Sequence, residues 1–465
     1  MLYLHLTMKK TDKWYHLLLR LCLCGAVLLL CTRALWWKET VWPKRAISVD
    51  AVVVSEPQVK TKTMTVDLFL TASQRKVRAV MVRDGRSERI RLGDGLVVKG
   101  RFCPIHRWQQ GNFDYQRHMR SQGYTGEVFA SSGYWTWRAV ELRRLGTVQR
   151  VRLKFLLLRH RLLTHYEGME PATYGVLAAM TLGDRSALDK GLREVYARTG
   201  ASHVLALSGL HLMIIYAMVS LLVTWRRYRL LAQALLVVTI WMYAFLVGLP
   251  SSVIRSATMI TVYTVLSSAH RTRRPLRVLT FTAVVMLLVH PAALFDLGFQ
   301  LSFAAVGSIL LFGPLFQQMI PSPVLRRYRL IRYLWGLTTV SVSAQLGTAP
   351  LVAYYFGRLP VYFLLTNFVA IPLVTLILYE AMLLFAVGWI AALSPLLTGG
   401  LSVTVTLLNR LLGIIGRWPG ASIDVRIGVL QLLLLYLIVA CLYVLLTYSL
   451  TSGGYRSGWR PPSIR

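Results

Sequence analysis

The chain's 465 residues are 55% hydrophobic, and a mean hydropathy of +0.51 excludes an ordinary soluble globule. Its 53 Lys and Arg oppose 19 Asp and Glu, a net charge of +34 that exceeds what orienting membrane loops requires and implies a polyanion, either anionic lipid or nucleic acid. The cysteines (Cys22, Cys24, Cys31, Cys103 and Cys441) are odd in number, which argues against a disulfide framework, and Cys22 and Cys24 lack a second pair to complete a zinc site.

The first predicted element is an apolar helix from Leu17 to Trp37, preceded by Lys9, Lys10, Lys13 and Arg20. No small-x-small cleavage site follows, so residues 1–47 read as a cytoplasmic tail and membrane anchor rather than a cleaved signal. Residues 48–137 change to short alternating stretches such as TMTVDLFLTA and KVRAVMVRD, divided by Asp84-Gly85 and Asp94-Gly95. That pattern predicts a small OB-like β-barrel of about five strands, on the extracytoplasmic side. Between Ser48 and Tyr134, 14 Lys and Arg face 8 Asp and Glu, interleaved with rings. A single nucleic-acid strand needs cations for its phosphates and aromatic faces for its bases. Lys99, Arg101, Arg107, Trp108, Phe113, Tyr115 and Tyr124 are the expected DNA-binding residues; the alternative for each ring is simple barrel packing.

Residues 138–168 predict a basic amphipathic helix at the bilayer surface, contacting lipid phosphate or rimming a DNA path, since Arg138 to His165 carries eight Lys and Arg with one acid, Glu141, interspersed with Leu, Val and Phe. Residues 169–450 read as a polytopic α-helical membrane core. Apolar segments at Ala201–Trp225, Leu230–Leu249, Val253–Ala269, Leu276–His290, Gly298–Phe312, Gly336–Phe356, Tyr362–Trp389 and Gly428–Tyr448, with the first anchor, make roughly 8 to 10 passes. Leu396–Gly416, containing Arg410, fits a crossing or a surface helix. With the barrel outside, the arginine runs at 226–229, 271–277 and 326–332 fall on the cytoplasmic side. Residues 451–465 form a basic tail.

Within these spans, polar side chains form a candidate pore lining: His203, Ser208, His211, Arg255, Asp296, Gln300, Gln345, Thr348 and Asn367. A bilayer offers such groups no water, so they face protein or a wet cavity. Ser208 and His211 are expected on one helical face, as are Asp296 and Gln300; helix packing is the rival explanation. Pro350 and Pro372 predict local helix breaks with unpaired carbonyls. Glu380 has no assigned partner. No HxH or HxxxH pair occurs, so no metal site or cofactor is expected.

The sequence GDRS, followed by ARTG, by His203 and by LALSGLH, resembles the membrane core of the ComEC family of competence proteins. So do GLPSSVIRSATM, DLGFQLSF, QLGTAP, NFVAIP and, separately, the FDY-to-G segment from Phe113 to Gly126. The resemblance implies an inner-membrane channel conducting single-stranded DNA into the cytoplasm during natural transformation, not an enzyme. Implied partners are single-stranded DNA, anionic lipids, a periplasmic DNA receptor, a separate nuclease, and a cytoplasmic DNA translocase or single-strand-binding protein. Many members carry a further metallo-β-lactamase-like domain, for which a chain ending at Arg465 is expected to have no room. A small-molecule transporter, and an intramembrane hydrolase using Ser208 and His211, are the competing readings.

Overall fold

The computed structural model describes residues 41–110, 113–140, 145–222, 229–268 and 275–452. The expected anchor, Cys22, Cys24, Cys31, the arginines at 226–228 and 271–274, and the tail beyond 452 lie outside the described residues. The N-terminal part is a sheet domain of β1 (Ile47–Val53), β2 (Gln58–Val59), β3 (Thr63–Leu70), β4 (Arg75–Val82), β5 (Gly95–Gly100), β6 (Phe102–Cys103), β7 (Gln109–Gln110), β8 (Phe113–Asp114), β9 (Tyr124–Ala130) and β10 (Trp135–Trp137), with helix α1 (Tyr115–Ser121) between β8 and β9. Alternation decides the faces. Met64, Val66 and Leu68 of β3 stand opposite Met81, Ala79 and Val77 of β4, and all six are fully buried in one core with Leu96, Val98 and Trp135.

The main sheet runs β10-β5-β1-β3-β4-β9-β6, with β2 beside β3 and only the β4–β9 pair parallel. The pairing closes no barrel, which corrects the closed form expected from the strand pattern. Before Arg101, β5 pairs with β1; immediately after it, β6 pairs with β9 at the far end of the order.

Helix α2 (Thr147–Leu163) is the basic helix expected within residues 138–168. Leu153 and Leu156 pack under Val52, Val54 and Phe69 of the sheet, Phe155 meets Phe245, and Arg159 is buried. Apolar residues on two sides make it a wedge between the sheet and the helices that follow.

Those helices are α3 (Pro171–Leu182), α4 (Lys190–Arg198), α5 (Ser202–Leu205), α6 (Gly209–Leu222), α7 (Arg229–Leu246), α8 (Ser251–Ser268), α9 (Pro275–Val289), α10 (Leu297–Gln317), α11 (Ser322–Arg327), α12 (Arg329–Phe356), α13 (Phe363–Val387), α14 (Ser394–Arg417) and α15 (Val429–Ser452). At their centre is α3, whose twelve residues are too few to span a bilayer. It is apolar all round and packs against Val374, Ile377 and Leu378 of α13 and Leu401, Val405 and Leu408 of α14. Gly183 ends it at φ +75, a left-handed cap that suits glycine.

Two expectations change here. Ala201–Trp225 is not one helix: the chain breaks at Ala206–Ser208, between α5 and α6. Pro350 and Pro372 do not break their helices, since α12 and α13 run through both. Beside Pro350 the Tyr436 hydroxyl donates to the Gly347 carbonyl at 2.9 Å, a contact from a neighbouring helix one residue along from the Leu346 carbonyl that the proline leaves without its helical donor. Among the described residues, four helices are long and apolar enough to cross a membrane: Leu297–Gln317, Phe363–Val387, Ser394–Arg417 and Val429–Leu450. Other apolar helices, such as Pro171–Leu182, Leu230–Leu246 and Pro275–Val289, are shorter. A two-stranded ribbon, β11 (Arg358–Pro360) with β12 (Ser422–Asp424), ties the ends of α12 and α14.

Candidate functional site

The polar groups of the helical region collect along α8. Arg255 points inward, 4% exposed, and its Nη1 lies 3.4 Å from Asp296 Oδ2, itself on a residue 5% exposed. Asp296 is not on the α10 face with Gln300, as its spacing suggested. It is the N-cap of α10, accepting from the Phe299 N–H at 3.3 Å, because a short carboxylate satisfies a free amide there. Gly298 makes the room: a Cβ there would stand 3.1 Å from Arg255 Nη2 and 3.2 Å from Asp296 Oδ2. On the other side, His118 Nδ1 lies 3.6 Å from Asp296 Oδ1, and Ser251 Oγ is 3.5 Å from Oδ2.

Two residues along α8 from the start, Ser252 donates to the Leu207 carbonyl at 2.6 Å, in the break between α5 and α6. Ser208 and His211 follow. They sit at the entry to α6, where one ring nitrogen meets both polar groups of the serine: the Ser208 N–H is 3.3 Å and its Oγ 3.0 Å from His211 Nδ1. An N–H directed at Nδ1 makes that nitrogen an acceptor and puts the ring proton on Nε2. His211 is fully buried, and its Nε2 has no hydrogen-bond partner among the described residues. At the other end, Gln300 donates to the Leu294 carbonyl at 3.0 Å and accepts from Tyr355 at 2.9 Å.

Five of the nine expected lining residues, Ser208, His211, Arg255, Asp296 and Gln300, thus belong to one seam of contacts. The other four make their contacts elsewhere. His203 is exposed, its Nδ1 3.1 Å from the Gly200 carbonyl. Thr348 turns its hydroxyl back to Ala344, Asn367 donates to Ser341 at 3.0 Å, and Gln345 borders an apolar groove. Glu380 is matched by Thr404 at 3.4 Å.

The sheet domain joins the seam through α1. Besides His118, the His290 Nε2 lies 3.1 Å from the Ser121 carbonyl, and Arg117 stacks over Phe295 at 5.1 Å. Sequence reading missed His118 as a site residue, although it lies inside the FDYQRH stretch, because nothing local links it to a residue so far along the chain.

Of the expected DNA-binding residues, Lys99, Arg101 and Arg107 are exposed and Trp108 is 48% exposed. The Phe113 side chain lies outside the described residues. Tyr124 and Tyr115 make their contacts within the sheet domain. Tyr124 is 5% exposed; it donates to Asp67, accepts from Arg78 at 3.2 Å and lies 3.7 Å under Lys76. Arg78 also donates to Tyr115 at 3.0 Å. Burial, with Asp67 adding to it, pushes the Tyr124 phenol up. Burial lowers Lys76 to about 8 against the opposing pull of Asp67. Further exposed rings are Phe129 at 61% and Tyr134 at 55%, on or beside the strand ends that carry Arg101 and Lys99.

Among the described residues no group of His, Cys, Asp or Glu could hold a metal ion. Residues 180–449, more than half of the chain, match the model of the family described as Competence, competence protein. The chain is 30% identical over 278 residues to ComE operon protein 3 of Bacillus subtilis (strain 168), covering 58% of this chain and 33% of that one. It is 24% identical over 345 residues to Recombination protein 2 of Haemophilus influenzae (69% and 40%), and 27% identical over 243 residues to Competence protein ComA of Neisseria gonorrhoeae (49% and 32%). It therefore spans less than half the length of these relatives. No solved structure matches it. The matched region contains the whole seam along α8 apart from His118, and on that match the chain belongs to the competence protein family.

Proposed function

We infer that this chain is the membrane conduit that passes a single DNA strand into the cytoplasm during transformation, and not an enzyme. The observation that carries the reading is the seam itself: a buried arginine, a carboxylate, a histidine and a glutamine held among apolar helices, reached from outside by α1 of a basic sheet domain. Buried ionisable groups are costly between apolar helices and are kept where a path needs them. The net charge of +34 supports a polyanionic cargo. Ser208 does not serve as a nucleophile in this reading, since the His211 nitrogen beside it also takes the backbone N–H that caps α6.

The sheet domain is the receiving module on the extracytoplasmic side of an inner-membrane protein. We read it as OB-like: β4 and β9 are parallel, and the single residue Arg101 carries the chain from pairing with β1 to pairing with β9. A periplasmic receptor would hand it DNA, a separate nuclease would remove the other strand, and a cytoplasmic translocase or single-strand-binding protein would draw the strand through. Labelled DNA taken up by a deletion strain, with and without the chain restored, tests the reading. Normal cytoplasmic entry in the deletion strain would refute it.

A further inference from the structure

We propose that the groove between α12, α13 and α15 holds one acyl chain of an anionic phospholipid, with the phosphate at Arg426; this rests on reading these helices as membrane-spanning. The groove is open, about 710 Å³ in volume, and bordered by residues such as Val342, Leu346, Pro350, Leu434 and Ile438. Its polar side chains are Gln345 and Gln431, and the Gln431 oxygen is occupied by the Gly428 N–H at 2.7 Å. Water finds too few partners on such a surface, and in a bilayer the medium outside it is hydrocarbon.

Tyr436 spans from α15 to the Gly347 carbonyl, so α15 is fixed at its distance and does not collapse into the gap. Along α15 the lining runs from Gln431 to Val439. At 1.5 Å per residue that is roughly 12 Å, close to the hydrocarbon depth of one leaflet, roughly 15 Å.

The groove's polar end supplies the headgroup contact. Val425 and Ile427 line it, and between them Arg426 is exposed, its stem near Gly357 at the end of α12. The neighbouring Arg358 is already matched by Glu194 at 2.7 Å and Asp424 at 3.4 Å, whereas Arg426 has no ion pair among the described residues. A cation at the mouth of an apolar slot selects a lipid with a negative headgroup.

The test uses the full chain, purified from membranes in mild detergent, washed, and assayed by mass spectrometry for phospholipid retained per protein. The expected result is about one tightly held lipid, enriched in anionic headgroups. Ala349→Phe on one wall and Leu435→Trp on the other should each reduce it to background in protein that remains monodisperse. Arg426→Gln should keep the lipid and lose the anionic enrichment. Wild-type protein free of lipid, or equal retention in both filled variants, overturns the proposal. So does a wild-type dimer that both filled variants lose, which would make a second copy the occupant. Alkaline carbonate extraction separates the two readings: release of the wild type sinks the spanning reading together with the groove, whereas membrane-retained but lipid-free protein sinks the groove alone.

Discussion

His118 and Asp296 stand 3.6 Å apart, one on the helix of the sheet domain and the other on the N-cap of α10, and the same carboxylate faces the buried Arg255. One side chain thus closes a helix, neutralises a buried cation and joins two parts of the molecule.

Asp296→Ala should therefore leave Arg255 buried and unpaired, at a cost of about 3–5 kcal/mol, seen as a large fall in the melting temperature of detergent-purified protein. Arg255→Met with Asp296→Leu should recover much of that loss. His118→Ala, at a partly exposed position, should cost about 1 kcal/mol or less and raise hydrogen exchange in α1 without affecting α13. A fall for His118→Ala as large as for Asp296→Ala would contradict this division.

Gly347 lies where α12 meets α10: a Cβ there would stand 2.5 Å from the Ala304 carbonyl oxygen and 2.7 Å from Ser308. Gly347→Val should destabilise by about 3 kcal/mol or more, because backbone blocks the added atoms. Gly399, within α14, has nothing within 4 Å of its Cβ position, and Gly399→Ala should gain up to about 1 kcal/mol from helix propensity. Thermal melts of both variants check the pair.

Lys76 gives a pH dependence. Burial holds it at about 8, below its ordinary value of 10.5, so between those values the folded chain has released a proton that the unfolded chain still binds. Stability from this group should therefore rise as pH increases from about 8 to 10.5, and the penalty is fully present below 8. In Lys76→Met that segment of the curve should flatten. An unchanged slope would show that Lys76 stays charged in the fold.

Binding of single-stranded oligonucleotide to the full chain, followed by fluorescence anisotropy across salt, should separate the exposed residues from the buried ones. Arg101→Ala should reduce the slope of log affinity against log salt by about 0.7, the value for one phosphate on a single strand. Trp108→Ala should lose about 1–3 kcal/mol if a base stacks there. Tyr124→Phe should leave binding unchanged while destabilising the domain, because it removes the hydroxyl held by Asp67 and Arg78.

Sidedness can be read with a membrane-impermeant thiol reagent in a background lacking the native cysteines. Ser73, in the turn after β3, and Ser322, at the start of the arginine-rich α11, are both exposed. Ser73→Cys should label from outside and Ser322→Cys should not. The opposite pattern would invert the topology.

The longer strands and most of the long helices were legible locally. Alternation in TMTVDLFL and KVRAVMV marked β3 and β4, and apolar runs marked α7, α10, α13 and α15 within a few residues. What misled was spacing taken as evidence of a shared face. Asp296 and Gln300 are four residues apart, but Asp296 stands just outside the helix as its cap. Likewise Tyr124 reads as an available ring until Asp67, Arg78 and Lys76 close over it.

The sequence by itself determined the material of this protein: apolar helices, a basic alternating segment, and the polar residues that interrupt them. These follow from local periodicity and composition, which each residue carries wherever the chain goes. Only the tertiary structure decided which polar residues meet. His118 finds Asp296, Tyr355 finds Gln300 and Tyr436 finds the carbonyl beside Pro350 because packing the apolar faces brings distant segments together. A buried polar group must then take whichever partner that packing delivers, and no local pattern encodes the choice.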